Sequence, residues 1–139
     1  MRLVESDAWE RVAGAEHGVL GTIHPDRGID LVPVVYAVDD EHTIFLPIDT
    51  VKEKTSIRLQ RLKNLANDPR CTLLIEHYEK DWARLWWVRI NGQGKQAGPA
   101  EMERARGSLA ERYPQYADPA AMVGGIMMTP QGLQGWEAG

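Results

Sequence analysis

Apolar positions follow helical spacing in a few stretches and alternating or continuous spacing through most of the rest. Ser6 to Ala15 reads as a short amphipathic helix, with Ser6 as cap and Trp9, Val12 and Ala13 turned inward. Gly14 and Gly18 punctuate its end. Gly18–His24 is apolar and β-branched, a buried strand, and Pro25-Asp26-Arg27-Gly28 is a turn in which Gly28 is free to take a positive φ. Ile29 to Val38 makes a second strand and a hairpin. Pro33 cannot donate to a ladder, so this strand belongs at an edge or at a bulge. After Asp39-Asp40-Glu41-His42 comes a third strand, Thr43 to Ile48.

Helical spacing returns at Ser56. Ile57, Arg58, Arg61 and Asn64 follow three- and four-residue steps, while Leu59, Leu62 and Leu65 supply an apolar face, until Asn67-Asp68-Pro69 stops the helix. Arg70 to Tyr78 is a fourth strand, apolar enough to be expected buried on both faces. Arg84 to Ala97 is a long fifth strand whose alternation puts Trp86, Val88 and Ile90 on one side and Trp87 and Arg89 on the other. A charged surface helix over Glu101 to Arg112 follows, then a linker from Pro114 to Pro119 and at most one helical turn at Ala120 to Val123. Two short strands, Gly125 to Thr129 and Leu133 to Trp136, complete the chain.

This order is mainly β, an α+β chain of mostly antiparallel pairs. A six- or seven-stranded barrel with flanking helices closes it naturally, because closure removes open edges. With 139 residues the chain is read as a single domain, 1–139. A barrel of that size is filled by its own side chains, so a ligand must sit on the outside, with a partner subunit to bury it.

Charge adds one feature. The chain carries a formal net charge of -4 and a pI near 5.5, which argues against general nucleic-acid binding. Yet Lys52, Lys54, Arg58, Arg61 and Lys63 crowd against Glu53 alone between Asp49 and Asn64. Thr55 or Ser56 can cap the helix beside Lys52 and Lys54, which makes a site for a phosphate or carboxylate. The plainer reading is a solvated basic helix face. The single cysteine, Cys71, permits no internal disulfide and is read as a buried, inert thiol in a cytoplasmic protein. No apolar run is long enough for a membrane span, and four scattered histidines form no metal pattern. No Walker loop, nucleophile elbow or dinucleotide fingerprint occurs.

Four strings carry a resemblance. They are Val32-Pro33-Val34-Val35-Tyr36, Ile48-Asp49-Thr50-Val51-Lys52-Glu53-Lys54, Arg61-Leu62-Lys63-Asn64-Leu65 before Asp68-Pro69-Arg70, and Asp81-Trp82 with Leu85-Trp86-Trp87-Val88-Arg89. Together they resemble the split-barrel flavin and deazaflavin proteins related to pyridoxamine 5′-phosphate oxidase, and more narrowly the branch that uses coenzyme F420. The resemblance implies a split β-barrel homodimer with a cofactor at each subunit junction. It assigns the phosphate to Lys52, Lys54, Arg58 and Arg61, with Asn64 nearby, and lays the backbone of Pro33 and Val34 along the ring edge. Trp87, beside Arg89, is the tryptophan of its pair expected to line the site; Trp136 either closes over the ring or anchors the tail.

The implied activity is hydride transfer from reduced F420 to an electron-poor C=C or C=N bond of a small molecule. The alternatives are an FMN-binding oxidase-like protein and a non-catalytic flavin or deazaflavin carrier. Against pyridoxamine phosphate oxidation, Gly135-Trp136-Glu137-Ala138-Gly139 lacks the arginine that activity needs. Haem is disfavoured because no histidine sits in a ligand context. No residue stands out as a general acid, so no catalytic side chain is named.

Overall fold

A computed structural model describes residues 1–49 and 55–139, with side chains at all of these except 55–59. Among the described residues are seven strands: β1 (Gly18–His24), β2 (Gly28–Val34), β3 (Ala37–Val38), β4 (Ile44–Asp49), β5 (Arg70–His77), β6 (Trp86–Gln96) and β7 (Met122–Glu137). Three α-helices accompany them, α1 (Glu5–Gly14), α2 (Thr55–Asn67) and α3 (Pro99–Arg112). The strands form one antiparallel sheet in the order β2-β1-β5-β6-β7-β4-β3.

That order explains the split barrel. The two ends of the sheet are β2 and β3, yet Val34 and Ala37 are only three residues apart, a span of about 11 Å at full stretch. The sheet must therefore curl until its edges nearly meet. The expected single strand from Ile29 to Val38 is broken for this reason, at Val35 and Tyr36. Tyr36 is fully buried, and its hydroxyl donates to the Val12 carbonyl at 2.5 Å, which pins the crossing against α1. Burial pushes the Tyr36 phenol up to about 12. Pro33 lies on β2, which has a neighbour on one side only, as its missing N–H requires.

Alternate residues fill the barrel. Leu20, Leu73, Ile75, Val88, Ile90, Ile44, Leu46, Ile126 and Met128 point inward and are buried. Helix α1 closes one end with Ala8 and Val12, while Ala13, expected inward, is exposed. The helix begins after Val4, without the side-chain cap expected of Ser6. Helix α2 closes the other end with Leu65, in a space left by Gly94: a Cβ there would lie 3.2 Å from Leu65 and 3.3 Å from the Cys71 sulfur. Helix α3 packs outside through Leu109, over Phe45, Ala37, Tyr116 and Met122. It is thus half of a second core rather than a free surface helix.

Two strand readings change. β5 alternates instead of being buried on both faces, with Leu74 36% exposed beside fully buried Leu73 and Ile75. The two short C-terminal strands are one, β7, with Gln131 as the extra residue where the register against Asn91 and Gly92 slips. Gly92 is required at that bulge: a Cβ would lie 2.3 Å from the Thr129 carbonyl oxygen.

Candidate functional site

The outer face of β2, β1 and β5 is apolar and bare. Register places Ile29, Leu31 and Pro33 of β2 outward beside Ile23, Gly21 and Val19 of β1, and Leu74 of β5 beyond Val19. Leu31 is 69% exposed and Ile29 59%. Both lean over Gly21, where a Cβ would lie 3.2 Å from the Leu31 side chain. At the end of this face α2 meets the edge strand, and a cleft of about 440 Å³ opens between them. Arg61 and Gln60 of α2 line it, with Arg27, Asp30, Leu31 and Val32 on the β2 side.

The cleft has a polar floor. Asn64, fully buried, donates to Thr22 Oγ1 at 3.0 Å and to Asp30 Oδ2 at 2.9 Å, and accepts from Gln60 Nε2 at 2.8 Å. Asp30 in turn takes two hydrogen bonds from Arg27, at 2.9 and 3.1 Å. The Arg27 guanidinium first, and Asn64 second, hold the Asp30 carboxyl below the usual carboxylate range. Asn64 was expected to orient near a cofactor. Its side chain has no exposed surface to offer one, so its place is to fix α2, and with it Arg61, against β1 and β2. Thr22, Arg27 and Asp30 were not singled out from sequence. A turn arginine three residues before a strand aspartate was the available signal for that ion pair.

The other expected contacts divide between two places. Pro33 is exposed on the edge strand, while Val34 is 7% exposed and turned inward, leaving only its backbone to meet a ligand. Trp87 and Trp136 are cross-strand partners on the outer face of β6 and β7, and the Arg89 guanidinium lies 5.0 Å from the Trp87 ring centre. Trp86 turns the other way, packs against the core and carries Arg11 at 5.3 Å over its ring. β6 is three strands from β2, about 14 Å at ordinary strand spacing. One chain therefore does not bring Trp87 and Trp136 to the cleft at Arg61. Trp136 also forms a bridge with Arg2, so it anchors the N-terminal arm. Lys52, Lys54, the Arg58 side chain and the cap at Thr55 or Ser56 lie outside the described residues.

A larger cavity, about 600 Å³, opens at the far side of β7, where Trp9 stacks on His42 with ring centres 4.0 Å apart. Its charged residues are Arg2, Glu5 and Glu41, a mixed set without the cluster of cations that an anionic ligand asks for. Size and chemistry point to different places, and chemistry favours the cleft at Arg61. Elsewhere, Cys71 is buried and its thiol is pushed up to about 11, in keeping with an inert sulfur. His77 pairs with Glu79, and Trp82 is 74% exposed. Among the described residues no helix is long and apolar enough to cross a membrane, and no group of His, Cys, Asp or Glu is arranged to hold a metal.

Residues 6–136 match the model of a family described as pyridoxamine 5′-phosphate oxidase. No curated protein matches the sequence. Among solved structures, the conserved hypothetical protein Rv2991 from Mycobacterium tuberculosis is 24% identical with a TM-score of 0.78, over 98% of this chain and 86% of that one. A FAD-binding protein, mll6688, from Mesorhizobium loti is 13% identical with a TM-score of 0.74, over 100% and 98%. HutZ, the haem storage protein from Vibrio cholerae, is 16% identical with a TM-score of 0.71, over 96% and 94%. At these identities the likeness is one of fold.

Proposed function

Because the chain belongs to the pyridoxamine 5′-phosphate oxidase family, we propose that it is an F420-dependent oxidoreductase that works as a homodimer on a small-molecule substrate. The observation that carries this reading is the position of Arg61, on the wall of an outer cleft that a fixed helix and an edge strand form together. In sequence, Lys52, Lys54 and Arg58 immediately precede it. One phosphate needs fewer cations than this stretch offers, whereas a deazaflavin that also carries a carboxylate tail matches them.

The residues fit such a group in kind. Arg61, with Lys52, Lys54 and Arg58, would hold the phosphate and tail, and the free edge of β2 at Pro33 and Val34 would meet the ring's polar rim. Leu31, Ile29 and Leu74 form an apolar face beside the cleft, and a second copy of the chain would cover it. The same docking would bring the partner's tryptophans at positions 87 and 136 to a cleft that its own chain's pair does not reach. When bound, the reduced cofactor supplies a hydride for an electron-poor C=C or C=N bond. The protein's own part is to fix the two reactants, exclude water and neutralise charge. Among the described residues the cleft holds no carboxylic acid or histidine other than ion-paired Asp30, so the proton would come from solvent or a bound water.

Fluorescence titration of the purified protein with F420 and with FMN tests this. F420 is expected to bind more tightly, and its affinity to fall as salt rises. Equal or tighter binding of FMN would overturn the cofactor assignment in favour of a flavin protein. Binding of F420 without any turnover of activated alkenes or imines would leave a carrier.

A further inference from the structure

The hydrogen bonds under the cleft run in one direction. The Asn64 amide nitrogen donates twice, to Thr22 Oγ1 at 3.0 Å and to Asp30 Oδ2 at 2.9 Å. An ionised carboxylate only accepts, so Asp30 fixes which end of the Asn64 amide is the nitrogen. The Asn64 oxygen then faces Gln60, whose Nε2 donates to it at 2.8 Å. That bond settles Gln60 in turn. Its nitrogen is spent on Asn64, and its oxygen is the group it can offer to the cleft it lines.

The carboxylate keeps capacity as well. Asp30 Oδ1 receives Arg27 Nε at 2.9 Å, while Oδ2 receives Arg27 Nη2 at 3.1 Å together with Asn64. A carboxylate has about four acceptor positions, two on each oxygen. Oδ1 therefore retains one, on a side chain that is 25% exposed and lines the cleft. Two acceptors, Asp30 Oδ1 and Gln60 Oε1, thus share a wall with Arg61. Arg27 offsets the charge of Asp30, so an anion at Arg61 does not meet a bare carboxylate. An anion alone brings only acceptors and would leave both oxygens without a donor. An anion whose attached chain carries hydroxyls supplies them.

We infer that Asp30 and Gln60 bind the hydroxylated chain next to the ligand's anionic group, so that the cleft selects a phosphorylated polyol rather than any phosphate. This rests on Arg61 as the anchor of the anion, as proposed, and adds which part of the ligand lies beside it. A purely architectural role is the rival, with Asp30 and Gln60 only bracing Asn64. Bracing affects every ligand alike, whereas acceptors that face the ligand affect only those that bring hydroxyls.

FMN and F420 both carry such a chain, and FMN can be compared with an analogue in which a plain pentyl chain joins ring and phosphate. These two and riboflavin, which lacks the phosphate, are titrated by fluorescence into wild type, Asp30→Asn, Gln60→Leu and Arg61→Ala, each melted in parallel. Wild type should bind FMN about five- to thirtyfold more tightly than the analogue. Asp30→Asn and Gln60→Leu should each shrink that ratio by about threefold or more. Arg61→Ala should weaken FMN and the analogue alike, keep their ratio and leave riboflavin unchanged. A wild type that does not bind FMN, a ratio near one, or a ratio that survives either acceptor substitution would overturn the inference. Should Asp30→Asn fail to fold, Gln60→Leu decides alone. If Arg61→Ala weakens neither phosphate, the anion site itself falls; a missing hydroxyl preference with Arg61 still required removes only the role of Asp30 and Gln60.

Discussion

Asn64 Nδ2 lies 2.9 Å from Asp30 Oδ2, and this bond joins the helix that bears Arg61 to the edge strand that faces it. The same nitrogen also donates to Thr22, and the amide oxygen accepts from Gln60. A buried side chain with every strong group engaged in this way sets the angle of a helix against a sheet.

Asn64→Ala should therefore act on stability first. It strips a partner from Thr22, Gln60 and a carboxylate in one step and leaves a small void. Such losses come to about 2–4 kcal/mol. Urea unfolding with an unchanged m-value would measure it. A loss below about 0.5 kcal/mol would show the network to be incidental.

Acid should weaken the fold through the same residue. The folded pKa of Asp30 is held down by Arg27 and then Asn64, and that of Asp68 by Arg70. A depressed folded pKa contributes stability that is present above the unfolded value of about 3.9 and is lost as pH falls toward the folded one. Stability from these pairs should thus hold from pH 7 to about 5 and decline below about 4. Asp30→Asn should flatten part of that decline, measured by denaturation at pH 5 and pH 3. Identical slopes for the two proteins would count against the pair.

Cys71 offers a probe of the barrel itself. With burial pushing the thiol up to about 11, its thiolate is scarce at pH 8, and Cys71 is only 5% exposed beside Leu65. Alkylation should be slow in the native protein and fast in denaturant. Rapid native labelling would mean that α2 lifts from the barrel end.

Local pattern made much of this architecture legible. The alternation of Trp86, Val88 and Ile90 against Trp87 and Arg89 gave the faces of β6, and Pro33 marked an edge strand, because both signals depend only on side-chain period and a missing donor. What failed depended on distant partners. Nothing local tells Val35 and Tyr36 that they must cross between sheet edges, since that follows from the strand order. The apolar run of β5 predicts Leu74 in the interior, because apolarity alone does not distinguish a core position from an exposed apolar face. In the site, the basic stretch was visible as charge. The role of Asn64 was not, because its partners Thr22 and Asp30 are 42 and 34 residues away.

The exposed face predicts an obligate dimer. Leu31, Ile29 and Leu74 lie exposed on one outer face, and a stable homodimer buries about 2,000 Å² or more in total. Leu31→Asp should yield a monomer by light scattering at micromolar concentration, and on the proposed two-chain site cofactor affinity should fall with it. A Leu31→Asp monomer that binds F420 as wild type does would refute the two-chain site.

Arg61 is the sharpest test of the site. Its side chain is half-buried on the cleft wall, with α2 fixed beneath it by Asn64, so its approach to a ligand is set by the fold rather than by a flexible stem. A charge-assisted hydrogen bond to a phosphate is worth roughly 1.5–3 kcal/mol. Arg61→Ala should weaken cofactor binding about ten- to a hundredfold. The barrel should survive, because its core is made by other residues. Arg58, one turn earlier in sequence, should matter less if it meets only the tail. Arg106 is the control: it sits on α3, pairs with Glu103 and lies outside the cleft, so Arg106→Ala should leave affinity unchanged. If Arg61→Ala and Arg106→Ala bind F420 equally well, the basic stretch is a solvated helix face and the cofactor lies elsewhere.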